Sequence, residues 1–101
     1  MLRGFIIDEM DGRRVAVAAT LVVGRTRECG FTIDDSAASR RHLEITARQD
    51  SFVWKDLGST NGTLLNGARM LAGELRHGDR IQIGKTVLRF EIEEVKEIGR
   101  A

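Results

Sequence analysis

Three short stretches carry the residue types able to do chemistry: Gly24-Arg25, Ser39-Arg40-Arg41-His42, and Leu57-Gly58-Ser59-Thr60-Asn61-Gly62-Thr63. They supply arginines, hydroxyls and a carboxamide. A guanidinium offers a planar fork of donors matched to phosphate oxygens, and Ser, Thr and Asn add neutral donors of fixed geometry. Gathered in one place, such a set suits a tetrahedral dianion. Ser39 and His42 also raise a nucleophile-and-base reading. No orienting acid or oxyanion motif accompanies them, and a Gly-x-Ser-x-Gly elbow is absent. A hydrolase is therefore the weaker rival, and the chain is expected not to be an enzyme.

Stretches this far apart in sequence can converge only if the chain between them turns back repeatedly. The composition is suited to that: eleven glycines and no proline leave the tight turns to Gly, Asn and Asp. Between turn signals the apolar residues alternate, as in half-buried strands. Leu2 to Ile7 begins the series, Asp11-Gly12 turns into Arg13 to Val17, and Leu21 to Val23 stops at Gly24. Leu43, Ile45 and Ala47 alternate with Glu44, Thr46 and Arg48; Phe52 and Trp54 alternate with Val53 and Lys55, as core aromatics. Asn61-Gly62 and Asn66-Gly67 are hairpin-type dipeptides, favoured where two successive residues take positive φ. Gly78-Asp79 leads into Ile81 and Ile83, and Gly84-Lys85 into Leu88, Phe90 and Ile92. The pattern predicts an all-β sandwich of two antiparallel-type sheets, with the binding loops at one end. Glu93 to Ile98 is the one segment with an alternative, a short helical turn.

The 101 residues allow one domain over 1–101, with the motifs inside about 2–92. A formal net charge of +1 excludes a general nucleic-acid binder, so any electropositive site must be local. No signal segment follows Met1, and no apolar run nears the ~18 residues of a membrane span. The lone Cys29 has no internal partner for a disulfide, and no Cys/His cluster suggests a metal, so a reducing cytoplasm is expected. Cys29 itself is assigned no special role, and Arg13-Arg14 reads as a solvated pair.

At the three polar stretches the chain resembles the forkhead-associated (FHA) domain family. Gly24-Arg25, the Ser39/His42 pair, Thr60-Asn61-Gly62, Asn66-Gly67 and Gly78-Asp79 to Ile83-Gly84 occur in the family's order. The resemblance covers roughly residues 2–92. It implies a sandwich that binds phosphothreonine peptides through its loops, a mode that uses arginine. On this resemblance Arg25 and Ser39 contact the phosphate, and Arg40 adds backbone or side-chain donors. Thr60 helps hold the phosphate side, and Asn61 hydrogen-bonds the peptide main chain. Gly24, His42 and Gly62 shape and brace the loops, while Ala37 and Ala38 offer little to read neighbouring peptide residues. The implied partner is a phosphothreonine-containing protein, a Ser/Thr kinase or its substrate. No cofactor, metal, nucleic acid, membrane or small-molecule substrate is implied. The main rival is a phosphate-independent interaction module using the same loops. No threonine precedes Thr20, so an N-terminal threonine tail folding back into the site is not expected within this chain.

Overall fold

The computed structural model of the chain describes residues 1–95. Eleven strands follow one another: β1 (Leu2–Asp8), β2 (Arg14–Val17), β3 (Thr20–Gly24), β4 (Phe31–Thr32), β5 (Leu43–Ala47), β6 (Phe52–Asp56), β7 (Leu64–Leu65), β8 (Ala68–Arg69), β9 (Ala72–Leu75), β10 (Arg80–Ile83) and β11 (Thr86–Glu94). They form a six-stranded sheet, β2-β1-β11-β10-β7-β8, packed on a five-stranded one, β4-β3-β5-β6-β9. The expected all-β sandwich is what the chain adopts. One pair departs from the antiparallel rule, since β3 and β4 run parallel. Glu93 and Glu94 continue β11 and are not helical; residues 96–98 of that segment lie outside the described residues.

Alternation does the packing. Leu43 and Ile45 of β5 point inward with Phe52 and Trp54 of β6, and meet Ile81, Ile83, Leu88 and Phe90 from the other sheet. Phe52 and Phe90 bridge the sheets edge to face, with centroids 5.2 Å apart. A side chain on Gly4 would run into both rings, so its absence makes room for the aromatic bridge. Arg13 and Arg14 are not simply solvated. Arg14 lies 3.6 Å from the centre of the Phe5 ring, Arg13 lies 4.2 Å from that of Phe31, and Arg14 also pairs with Glu93.

Register is what positions the polar stretches. Val23, Leu43 and Asp56 form one row across β3, β5 and β6. The chain leaving β3, the chain entering β5 and the chain leaving β6 therefore emerge from the same end of that sheet. The β10–β11 turn closes beside them: Asp35 accepts from the Lys85 N–H at 2.9 Å and the Thr86 hydroxyl at 2.8 Å. Two hydrogen bonds thus tie the loop after β4 to the opposite sheet.

Candidate functional site

Three loops meet at this end: residues 25–30 between β3 and β4, 33–42 between β4 and β5, and 57–63 between β6 and β7. The first two are joined chiefly at one carbonyl. The Arg40 oxygen accepts from the Arg25 N–H at 3.1 Å, from the Thr26 N–H and hydroxyl at 3.4 Å each, and from the Cys29 thiol at 3.1 Å. Gly24 permits this approach, since a Cβ there would overlap the Arg40 carbonyl and press on the Cys29 sulfur. Its φ is not the issue; the missing side chain is. Cys29, assigned no role from sequence, is buried and supports the Arg40 backbone from below.

Arg25 is held in place before any ligand arrives. Its Nε–H donates to the Ala38 carbonyl at 3.0 Å, and the two terminal nitrogens have no hydrogen-bond partner among the described residues. Ser39 uses its hydroxyl oxygen to accept from the Thr60 N–H at 3.1 Å, so its own proton is free to be donated. No group of the described residues accepts from the Arg40 N–H. No carboxylate of the described residues lies within 4.0 Å of the Arg25, Arg40 or Arg41 guanidinium.

His42 joins the second loop to the third. Its imidazole is fully buried, at 0% exposure. The Ser39 N–H donates to Nδ1 at 3.1 Å, so Nδ1 must be unprotonated. Nε2 lies 2.9 Å from the Gly62 carbonyl, which can only accept, and 3.1 Å from the Thr63 hydroxyl. The two ends agree on the neutral Nε2–H tautomer. With both nitrogens engaged by the fold, His42 braces the loops and is not positioned as a base for Ser39.

The third loop is shaped by an acid absent from the sequence-derived site. Asp56, whose side chain is 3% exposed, accepts from the Ser59 N–H (2.6 Å), the Ser59 hydroxyl (2.7 Å) and the Thr63 hydroxyl (2.8 Å). Burial pushes its carboxyl up, but the hydrogen bonds from Ser59 and Thr63 favour the ionised form, and the net result lies below the ordinary carboxylate value. Ser59 then passes the order on by accepting from the Gly62 N–H at 3.0 Å. Asn61-Gly62 is not the hairpin expected of it. The loop crosses from one sheet to the other, and of the dipeptide only Gly62 takes positive φ, at 86°. Asn61 stands exposed at the rim, its Nδ2 donating to the Ala37 carbonyl at 2.9 Å. Its amide oxygen has no hydrogen-bond partner among the described residues.

The structure thus brings Arg25, Ser39, Arg40, Thr60 and Asn61 to one end, with Gly24, His42 and Gly62 behind them. Sequence reasoning missed Asp56, Ser59 and Thr63, a spaced polar set that marks a side-chain-folded turn. It also missed Asp35, whose carboxyl is held below its ordinary value, chiefly by the Ala37 N–H. Among the described residues, no group of three or more His, Cys, Asp or Glu could hold a metal ion. Nor, among the described residues, is any helix long and apolar enough to cross a membrane.

Residues 21–84 match the family model of the FHA domain. The oxoglutarate dehydrogenase inhibitor of Corynebacterium diphtheriae is 41% identical over 71 residues, covering 70% of this chain and 50% of that protein. The chain therefore spans about half the length of the corynebacterial relatives it matches. A solved FHA domain described for its phosphothreonine-dependent interactions superposes with a TM-score of 0.87 at 28% identity, covering 92% of this chain and 99% of that one. Mycobacterium tuberculosis EmbR in complex with a low-affinity phosphopeptide gives 0.85 at 28% identity, over 94% of this chain and 26% of EmbR.

Proposed function

The chain belongs to the FHA-domain family, and on that premise we propose that its loop end captures a phosphothreonine-bearing segment of a partner protein. The carrying observation is the set of donors, the Arg25 terminal nitrogens, the Ser39 hydroxyl and the Arg40 N–H, with no carboxylate of the described residues within 4.0 Å of the Arg25 or Arg40 guanidinium. A phosphate carries a charge of about −1.5 to −2 and three strong acceptor oxygens, enough to satisfy all three donors at once. In this reading Thr60 keeps Ser39 aimed at the phosphate, and Asn61 takes the peptide main chain through its amide oxygen. Gly24, His42 and Gly62 hold the geometry. The function is recognition, without a reaction step. The phosphate is placed by a Ser/Thr protein kinase, and the partner is that kinase or one of its substrates. A reducing cytoplasm suits the Cys29 thiol that supports Arg40.

The test is calorimetric titration with a degenerate peptide library centred on phosphothreonine, beside copies centred on phosphoserine, aspartate and unmodified threonine. Phosphothreonine should lead phosphoserine by roughly tenfold. Burial of its methyl contributes about 0.8 kcal/mol, the gap left by its absence adds to that, and the branched side chain loses less rotational freedom. Aspartate and plain threonine should bind negligibly, because a planar carboxylate with one charge cannot meet donors set for three oxygens. Equal affinity for all four libraries would replace this reading with the phosphate-independent one.

A further inference from the structure

We infer that Arg69 is a specificity-determining residue that selects peptides with an acidic side chain flanking the phosphothreonine; the inference rests on the phosphothreonine reading of the same site. Arg69 is not in any of the polar stretches. It reaches the site because β7 and β8 form a tight hairpin, in which Leu64 pairs with Arg69 and Leu65 with Ala68. The Met70 N–H then donates to the Thr63 carbonyl at 3.2 Å, holding the end of β8 against the third loop. The Arg69 guanidinium lies in the space a side chain on Gly62 would occupy, with Nη2 2.8 Å and Cζ 2.9 Å from that Cβ position. It therefore stacks on the backbone of the residue next to Asn61.

Arg69 is exposed, and no carboxylate of the described residues comes within 4.0 Å of it. Arg14 pairs with Glu93, Arg80 with Glu9, and Arg89 with Glu9 and Glu91, whereas Arg3, Arg48 and Arg76 are, like Arg69, without a carboxylate of the described residues within 4.0 Å; what sets Arg69 apart is its place against Gly62, beside Asn61. The acids on the other side of the site are already engaged. Asp35 binds the Ala37 and Lys85 N–H groups and the Thr86 hydroxyl, while Asp8 and Asp11 accept from the backbone of their own turn. Arg27 and Arg41, on the first and second loops, likewise lack a carboxylate partner, and Glu28 and Asp34 are the exposed acids among them. A peptide lying across Asn61 passes a guanidinium that no carboxylate of the described residues compensates. An aspartate, a glutamate or a second phosphate on that flank completes it with a charge-assisted, forked hydrogen bond.

The experiment uses phosphothreonine libraries in which each flanking position in turn is Asp, Ala or Lys and the rest are degenerate. They are titrated against the wild-type chain, Arg69→Gln and Arg69→Lys at low and moderate salt. The expected result is a two- to tenfold preference for Asp over Ala at one or more flanking positions, weakening with salt. Arg69→Gln should erase that preference, Arg69→Lys should keep part of it, and affinity for the Ala-flanked library should stay within about twofold. A preference that survives Arg69→Gln, or an equal loss for the Asp and Ala libraries, overturns the inference and leaves phosphothreonine binding standing. If no library binds the wild-type chain in a phosphate-dependent way, the phosphothreonine reading falls and this inference with it.

Discussion

Asn-Gly occurs at 61–62 and again at 66–67, and the fold treats the two copies in opposite ways. At 66–67 both residues take positive φ, 51° and 87°, and the dipeptide closes the β7–β8 hairpin. The Asn66 side chain turns back into the fold, donating to Asp79 at 3.0 Å and accepting from the Arg80 N–H at 2.9 Å. At 61–62 only Gly62 is left-handed, and the flanking strands belong to different sheets. There the chain is shaped by side chains, through Asp56, Ser59, Thr63 and His42, and Asn61 faces outward. A loop folded by a backbone ladder has its polar groups engaged in pairing. A loop folded from beneath by buried side chains leaves its rim available to a ligand.

That contrast can be broken at the site end first. Arg25→Ala should lower phosphopeptide affinity by roughly thirty- to over a hundredfold, the equivalent of about 2 to 3 kcal/mol for a charge-assisted contact. The melting curve should stay close to wild type, because the only hydrogen bond the Arg25 side chain gives the described fold is the one to Ala38. Titration on a demonstrably folded variant checks it, and unchanged affinity removes Arg25 from the site.

His42→Ala should damage both properties together. It leaves the Ser39 N–H and the Gly62 carbonyl without their partner in a buried space, at a cost of about 1 to 3 kcal/mol. Chemical denaturation would show the lower stability, and titration the weaker binding. A variant that binds poorly at full stability would make His42 a ligand contact instead of a brace.

The two asparagines sharpen the comparison directly. Asn61→Ala should weaken binding by about tenfold with little change in thermal midpoint, whereas Asn66→Ala should cost about 1 kcal/mol of stability and leave affinity intact. Measured side by side, the reverse pattern would mean that the hairpin, not the crossing loop, meets the peptide.

Acid should separate the two regions by the smallest margin. The Asp56 carboxyl is lowered in the folded chain, so its contribution is fully present above its unfolded value of about 3.9. It is lost as pH falls through the depressed folded value. The Ser59 and Gly62 amides should therefore stay protected down to about pH 4 and exchange faster only below it, while the ladder amides of the β7–β8 hairpin change less in that window. Hydrogen exchange followed by NMR reads both at once. Loosening of the crossing loop already at pH 5 to 6 would show that the Asp56 carboxylate is not what holds it.

Much of the fold was legible because burial in a sandwich leaves a period of two. Leu43 and Ile45, Phe52 and Trp54, and Ile81 and Ile83 advertise their inward faces without reference to any distant residue. The turn glycines were legible for a similar reason: positive φ is a local demand, met by Gly12, Gly67 and Gly84. The parallel β3–β4 pair was not, since direction between strands is set by where a loop lets the chain return.

The site divides along the same line. Its donors, Arg25, Ser39, Arg40, Thr60 and Asn61, could be named from their chemistry and order, because residue type alone decides what a side chain can donate. What Asp56, Cys29 and Arg69 do could not be read that way. Asp56 gathers a loop, Cys29 supports a carbonyl eleven residues further along the chain, and Arg69 fills the space above Gly62. Each role depends on a distance between segments joined only by strand register and sheet packing, and that distance exists only once the two sheets have closed on their core.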